Sequence, residues 1–146
     1  MTVEDRLHEG SISFEAAHQL CQAAVELAVA AGERVSVAVS DPAGELRAFS
    51  RMDGAAPLSA ETARRKCRTV ALTGRPSGEF GRIIAAELAT EPELFHSMLG
   101  VGMFPIGGGV PVRVDGRTVA IVAVSGASSD ADEGLARAAA ARIFGA

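Results

Sequence analysis

The sequence has no tryptophan and no tyrosine, and phenylalanine alone makes up its 4% aromatic content. Apolar residues nevertheless reach 48%. The interior must therefore be built mostly from Ala, Val, Leu and Ile, evenly packed and without large aromatic anchors. Cysteine is nearly absent. Cys21 and Cys67 stand far apart without any paired metal-type spacing, so a disulfide or zinc site is not indicated and they read as two buried free thiols. Lysine is scarcer still: thirteen of the 14 basic residues are Arg, and Lys66 is the only lysine. The chain uses Arg wherever a generic surface cation will do, and Lys66 therefore stands out.

A basic excess is also missing. The net charge of −4 argues against nucleic acid as a partner, since such binding draws most of its affinity from clustered Lys and Arg. No run approaches the ~18 apolar residues of a membrane span. The opening residues MTVEDRLHEGS lack the apolar stretch of a signal peptide. The expectation is a cytoplasmic protein without a membrane partner.

A length of 146 residues suits one domain, read here as a polar leader over 1–12 and a domain over 13–146. Ser13 can cap a helix in which Ala17, Leu20, Cys21, Ala24, Leu27, Ala28 and Ala31 recur at helical spacing until Gly32. Val35, Val37 and Val39 alternate with small residues, Asp41-Pro-Ala-Gly44 supplies a turn, and Leu46 to Phe49 resumes an extended pattern. Ser59 can cap a second helix running to about Thr73 and stopped by Gly74, with further short helices from Ser77 and Pro92. Val110–Val114 and Thr118–Ser125 flank an Asp115-Gly116 hairpin turn, and Asp130 with Glu133 makes a capping box for an alanine-rich terminal helix. The expected fold class is α+β: an antiparallel sheet of about five strands flanked by helices, in the order α-β-β-α-α-β-β-α.

Two constellations carry chemistry. On the second helix, Ala60, Ala63, Cys67, Val70 and Ala71 share a core face, and Arg64, Arg65 and Arg68 face solvent. Between them, Thr62, Lys66, Thr69 and Thr73 form a stripe at the border. Lys66 there fits either a stem snorkelling along the core edge or an anchor or base for an anionic ligand. The second constellation is Phe104-Pro-Ile-Gly-Gly-Gly-Val-Pro111. Gly107, Gly108 and Gly109 allow positive φ and close approach, serving either a ligand-facing amide surface or a tight crossover. The segment lacks the Lys-Ser or Lys-Thr ending of a P-loop. His8, His18 and His96 have no ligand partners at metal-site spacing, which excludes a dedicated zinc site and leaves His96, shortly before the glycines, as a ligand for haem iron alone. Asp132 follows Ser125-Gly-Ala-Ser-Ser129, a strand-to-helix turn.

In order and spacing these fragments resemble the GlcG/HbpS-like family over nearly the whole chain. The resemblance rests on Val37-Ala-Val-Ser-Asp-Pro-Ala-Gly44 with Phe49-Ser-Arg-Met-Asp-Gly54, on Ser59 with Ala63-Arg-Arg-Lys-Cys67, on Gly107-Gly-Gly-Val-Pro111, and on Val124-Ser-Gly126 followed by Asp132. Ala127 and Val122 stand where the family commonly has glycine. The resemblance implies a symmetric homo-oligomer that binds or degrades haem or another small planar or anionic compound. It places Lys66, Asp132 and Gly107–Gly109 at family positions; the helix stripe adds Thr62 and Thr69, and the glycine segment Phe104, as candidate ligand contacts. The alternative is a small cofactor-independent isomerase, lyase or hydrolase acting on a carbonyl or carboxylate metabolite, with Lys66 or Asp132 as acid or base. A third possibility is an oligomerising accessory domain whose cleft is vestigial.

Overall fold

Ser13 converts an extended entry into helix: its hydroxyl accepts the N–H of Ala16 at 3.1 Å, and α1 then runs over Phe14–Ala30 as the spacing predicts. In the computed structural model, which describes residues 1–145, the expected helices and hairpins recur as an α+β domain. Ala146, the last residue of the expected domain, lies outside the described residues. Strands β3 (Ser36–Ser40) and β4 (Leu46–Arg51) form one hairpin, and β5 (Gly109–Val114) and β6 (Arg117–Ser125) the other. Asp115 and Gly116 both take positive φ, 51° and 77°, the backbone a primed two-residue turn requires. The hairpins join through β3 and β6 into one antiparallel sheet of order β4-β3-β6-β5.

The expected five or so strands thus resolve into four in the sheet. A separate ribbon pairs β1 (Leu7–His8) with β2 (Ser11–Ile12), after a 3-10 turn at Glu4–Arg6. This ribbon falls in the segment expected as a polar leader, and it lays Ile12 fully buried into the core beside α1.

Period-two alternation assigns the faces of the sheet. Val37, Val39, Val122 and Val124 point to α1 and the terminal helix α6 (Ser129–Phe144). Ala38, Ile121 and Ala123 point to Ala63, Cys67 and Val70 of α2 (Pro57–Thr73). The alanines on that second face hold α2 close to the sheet, so residues flanking its core stripe are buried as well.

Capping differs from expectation at the starts of α2 and α6. Pro57 begins α2, because its fixed φ suits the first turn, and Ser59 is buried one turn inside, donating to Ala56 O at 2.6 Å. The α6 cap is Ser128, extended at φ −71°, ψ 158° and accepting from Ala131 N at 3.2 Å. Asp130, expected as the cap, is already helical there. Ser77 begins α3 (Ser77–Ile83) as expected, and its side chain turns inward to another segment, as described below.

Two more short helices, α4 (Ala85–Thr90) and α5 (Pro92–Gly100), follow, and neither contains a fully buried residue. The start of α5 at Pro92 is as the sequence pattern predicts, whereas the break at Ile84 between α3 and α4 is not. Two arginines of α2 bind this arch to the body: Arg65 Nη1 donates to Leu99 O at 2.6 Å and Arg68 Nε to Val101 O at 3.3 Å. Cationic groups on the last carbonyls of a helix satisfy orphan acceptors and oppose the negative end of its dipole.

The glycine turn packs most tightly at Gly108. Its φ is +142°, and a Cβ there would lie 2.3 Å from Val124 O and 2.7 Å from Lys66 Nζ. Replacing Gly108 by Ala is expected to cost more than about 3 kcal/mol, through strain and displacement of two polar partners. Gly100→Ala, with no heavy atom within 4 Å of the new methyl, should be neutral or stabilise by up to ~1 kcal/mol. Urea denaturation of both variants checks the contrast, and equal stabilities would contradict this packing.

Candidate functional site

Burial is the first correction to the reading of α2. Thr62, Lys66 and Thr69 do not lie at a solvent border. They are 7%, 2% and 0% exposed. Lys66 runs beneath Gly108, and its Nζ donates to Val124 O at 2.9 Å and to Asp132 Oδ2 at 3.2 Å. Asp132 Oδ1 accepts from Ala127 N at 2.9 Å. The only lysine and a carboxylate of α6 therefore meet as an ion pair closed off from water.

Burial moves both groups toward neutrality. Desolvation pushes the Lys66 ammonium below its ordinary range, opposed by the Asp132 charge, and pushes the Asp132 carboxyl above its own, opposed by Lys66 and the Ala127 amide. Such a pair sits closer to proton exchange than a surface salt bridge. Cys67 is different: burial raises its thiol to about 12, which excludes it as a nucleophile at neutral pH. Cys21 and Cys67 are both free and buried, as the sequence suggests.

The pair forms the floor of a cleft of about 280 Å³. Thr62, Ser59 and Ser125 complete the polar floor, the Ser125–Ala127 turn and Ser129 form one side, and Leu58, Phe104 and Ile106 form the apolar side. Thr62 and Ser125 hydroxyls are 2.6 Å apart, and Ser59 and Ser36 hydroxyls 2.8 Å apart. Past Leu58, Thr62 and Phe104 the cleft continues into a hollow of about 520 Å³, walled by Leu99 and Gly100 of α5 with Glu61 and Arg65 at its edge.

Four of the expected site residues are thus gathered at one cleft: Lys66, Asp132, Thr62 and Phe104. The others are placed differently. Thr69 stands behind the wall, accepting from Phe104 N at 2.7 Å and so fixing that aromatic. Gly108 and Gly109 are buried supports. The Gly109 amide expected to face a ligand is instead taken by Ser77 Oγ at 2.9 Å, and the same hydroxyl donates to Ile106 O at 2.6 Å. Gly107 borders a neighbouring groove shared with Pro105 and Leu88. His96 is exposed on α5 and does not line the cleft.

Ser77, which clasps the glycine turn, and Ser59, Ser125 and Leu58 are the residues sequence reasoning missed. Ser125 had a signal in the Ser125–Ser129 turn. Ser77 had none, because its role depends on a segment thirty residues away. Among the described residues no group of three His, Cys, Asp or Glu side chains could hold a bare metal ion, and no helix is long and apolar enough to cross a membrane.

An α+β domain with a half-polar, half-apolar cleft over a buried ion pair belongs to the class of small-ligand proteins. The comparisons are more specific: residues 12–141 match the family described as "Haem degrading protein HbpS-like", and the chain belongs to that family. It is similar to the crystal structure of a double mutant of Streptomyces reticuli HbpS, with 36% identity over 98% of this chain and 94% of that one, TM-score 0.77. It is similar to the crystal structure of a PduOC:heme complex at 28% identity, covering 91% and 95%, TM-score 0.80. Protein GlcG of Escherichia coli strain K12 is 37% identical over 94 residues, 62% of this chain, and the match spans 63% of GlcG.

The ion pair generates a stability test. Lys66→Met leaves Asp132 without its cation and is expected to cost about 3–5 kcal/mol, whereas the double variant Lys66→Met/Asp132→Leu should recover much of that loss. The pH dependence has a definite sign. With a raised folded pKa, Asp132 makes the folded chain bind more protons than the unfolded one just above pH 3.8, so its contribution falls as pH rises there. With a lowered folded pKa, Lys66 makes the unfolded chain bind more protons just below pH 10.5, so its contribution rises with pH there. Subtracting the double variant's denaturation profile from the wild type's isolates both slopes. Slopes of the opposite sign would refute the burial of the pair.

Proposed function

We propose that this domain binds a small planar ligand carrying a carboxylate, with the polar end on Lys66 and the flat body against Leu58, Phe104 and Leu99. The supporting observation is the buried Lys66–Asp132 pair at the floor of a cleft that opens into an apolar hollow. Haem is the leading example, because the chain belongs to the HbpS-like family and a relative has been crystallised with it. The residues present fit such a group. The cleft and hollow are joined through Leu58, Thr62 and Phe104, and Leu58, Phe104, Ile106 and Leu99 give them an apolar side opposite the polar floor.

His96 lies one helical turn before Leu99 and Gly100, so it is the residue proposed to reach the iron of a haem seated in that hollow. The iron would supply any redox chemistry of degradation. The chain's own part is to hold the ring, anchor its carboxylates and exclude water from one face. A second reading, proton transfer on a carbonyl substrate, is favoured by the opposed displacement of the Lys66 and Asp132 pKa values toward neutrality. Turnover unaffected by Lys66→Met would eliminate it.

Haemin titration should give a saturable Soret shift, weakened about tenfold or more by Lys66→Met, and His96→Ala should change the band position more than the affinity. No saturable shift at micromolar haemin would remove haem as the ligand. Self-association into a symmetric homo-oligomer is a further part of this reading. Sedimentation velocity is expected to show one assembly larger than a monomer, and a purely monomeric boundary would reject it.

A further inference from the structure

The donors and acceptors at the cleft floor are unevenly filled. Thr62 Oγ1 donates back along its helix to Leu58 O at 3.1 Å, so Ser125 donates to Thr62. Ser59 donates to Ala56 O, so Ser36 donates to Ser59. Both oxygens of Asp132 already accept, one from Lys66 and one from Ala127 N. An ammonium has three N–H donors. Among the described residues those of Lys66 find Val124 O and Asp132 Oδ2, leaving one without a protein partner. Ser129, at the cleft rim and in the first turn of α6, has a hydroxyl with no hydrogen bond among the described residues. A ligand group with two acceptor oxygens can use both.

Charge then sets a condition on such a ligand. The pair beneath the cleft is neutral as a whole and 2% and 3% exposed at its two side chains. A carboxylate arriving at Lys66 places a second anion on an ammonium that already has one, in a site water cannot screen. No other cation lines the cleft. Arg65, in the adjoining hollow, is held by Glu61 at 2.9 Å and by Leu99 O. On α6, Asp130 and Glu133 face the neighbouring groove, and Glu133 pairs with Arg137. Arg82 lines that groove with them, so it is electrically balanced and brings no free cation to the cleft. The group that can remove the excess is Asp132, already in contact with the same ammonium.

We propose that the cleft takes up a planar carboxylate together with one proton, and that the proton is lodged on Asp132 while the ligand replaces it as the counter-ion of Lys66. No bond to carbon is made or broken. The proton comes from solvent, and the Lys66 N–H that pointed to Asp132 is shared with the incoming carboxylate. The site would thereby distinguish carboxylates from neutral planar compounds by pH. This inference rests on the ligand reading above and can fail independently of it.

The test is calorimetry of the intact protein with 2-naphthoate as probe, and with 2-naphthamide as its neutral counterpart, in two buffers of different ionisation enthalpy. Proton uptake with each naphthoate bound is expected, with Kd rising as pH rises, by up to about tenfold per pH unit. The amide should bind without uptake. Asp132→Asn should bind naphthoate with neither uptake nor pH dependence. If that variant does not fold, the buffer comparison on the wild type decides alone. Naphthoate binding with no proton uptake would overturn the coupling while leaving the ligand reading intact. Absence of binding by both naphthoate and haemin would overturn both.

Discussion

The contact between Lys66 and Asp132 ties together elements that otherwise share little. Lys66 comes from the middle of α2, Asp132 from the first turn of α6, and the two meet at the end of β6, where Val124 O accepts from the same ammonium. The turn carrying Gly108 lies across the lysine stem, and Gly108 O in turn accepts from Val124 N at 3.0 Å. Three layers are thus joined through one side chain. The absence of a Cβ at Gly108 is what allows the crossing, since any side chain would occupy the position of Val124 O or Lys66 Nζ. An ion pair of this depth is not a source of stability that an apolar pair could not match. Its presence in the floor of a cleft therefore directs attention to ligand chemistry.

The aromatic-poor composition has a structural counterpart. Ala38 and Ala123 present so little bulk that α2 lies close on the sheet, and this proximity buries Lys66, Thr62 and Thr69 along with the apolar stripe. The other face, with α1 and α6, holds the larger cluster and supplies most of the apolar burial. The α4–α5 arch contributes no fully buried residue, and it is fastened by arginine contacts to carbonyls. Segments held this way open more easily than the core. The arch also provides the Leu99 wall of the hollow.

Membership of the HbpS-like family sets the frame for these features, but a fold hosts many functions and the chemistry has to be argued from the site. In this chain the site is an electroneutral pair with one unfilled donor, bordered by a flat apolar wall. That arrangement suits a molecule with one charged edge and one greasy face. Haem is such a molecule, and so are many smaller aromatic acids.

Much of this was legible from sequence alone. Ser13 and Gly32 bound α1, Asp115-Gly116 sets the second hairpin, and the lone lysine stands out by count, because caps, turns and composition are local properties. The same local rules misplaced the α6 cap on Asp130, since Ser128 and Asp130 could each cap and the entering backbone chooses between them, and the α2 start on Ser59, since Pro57 opens the helix without any side-chain cap. The depth of Lys66, the clasp of Ser77 on Gly109 and Ile106, and the partnership with Asp132 were decided by tertiary structure. Each depends on residues far apart in sequence being brought within hydrogen-bonding range, and helix periodicity records which way a side chain points without recording how closely the next layer approaches it.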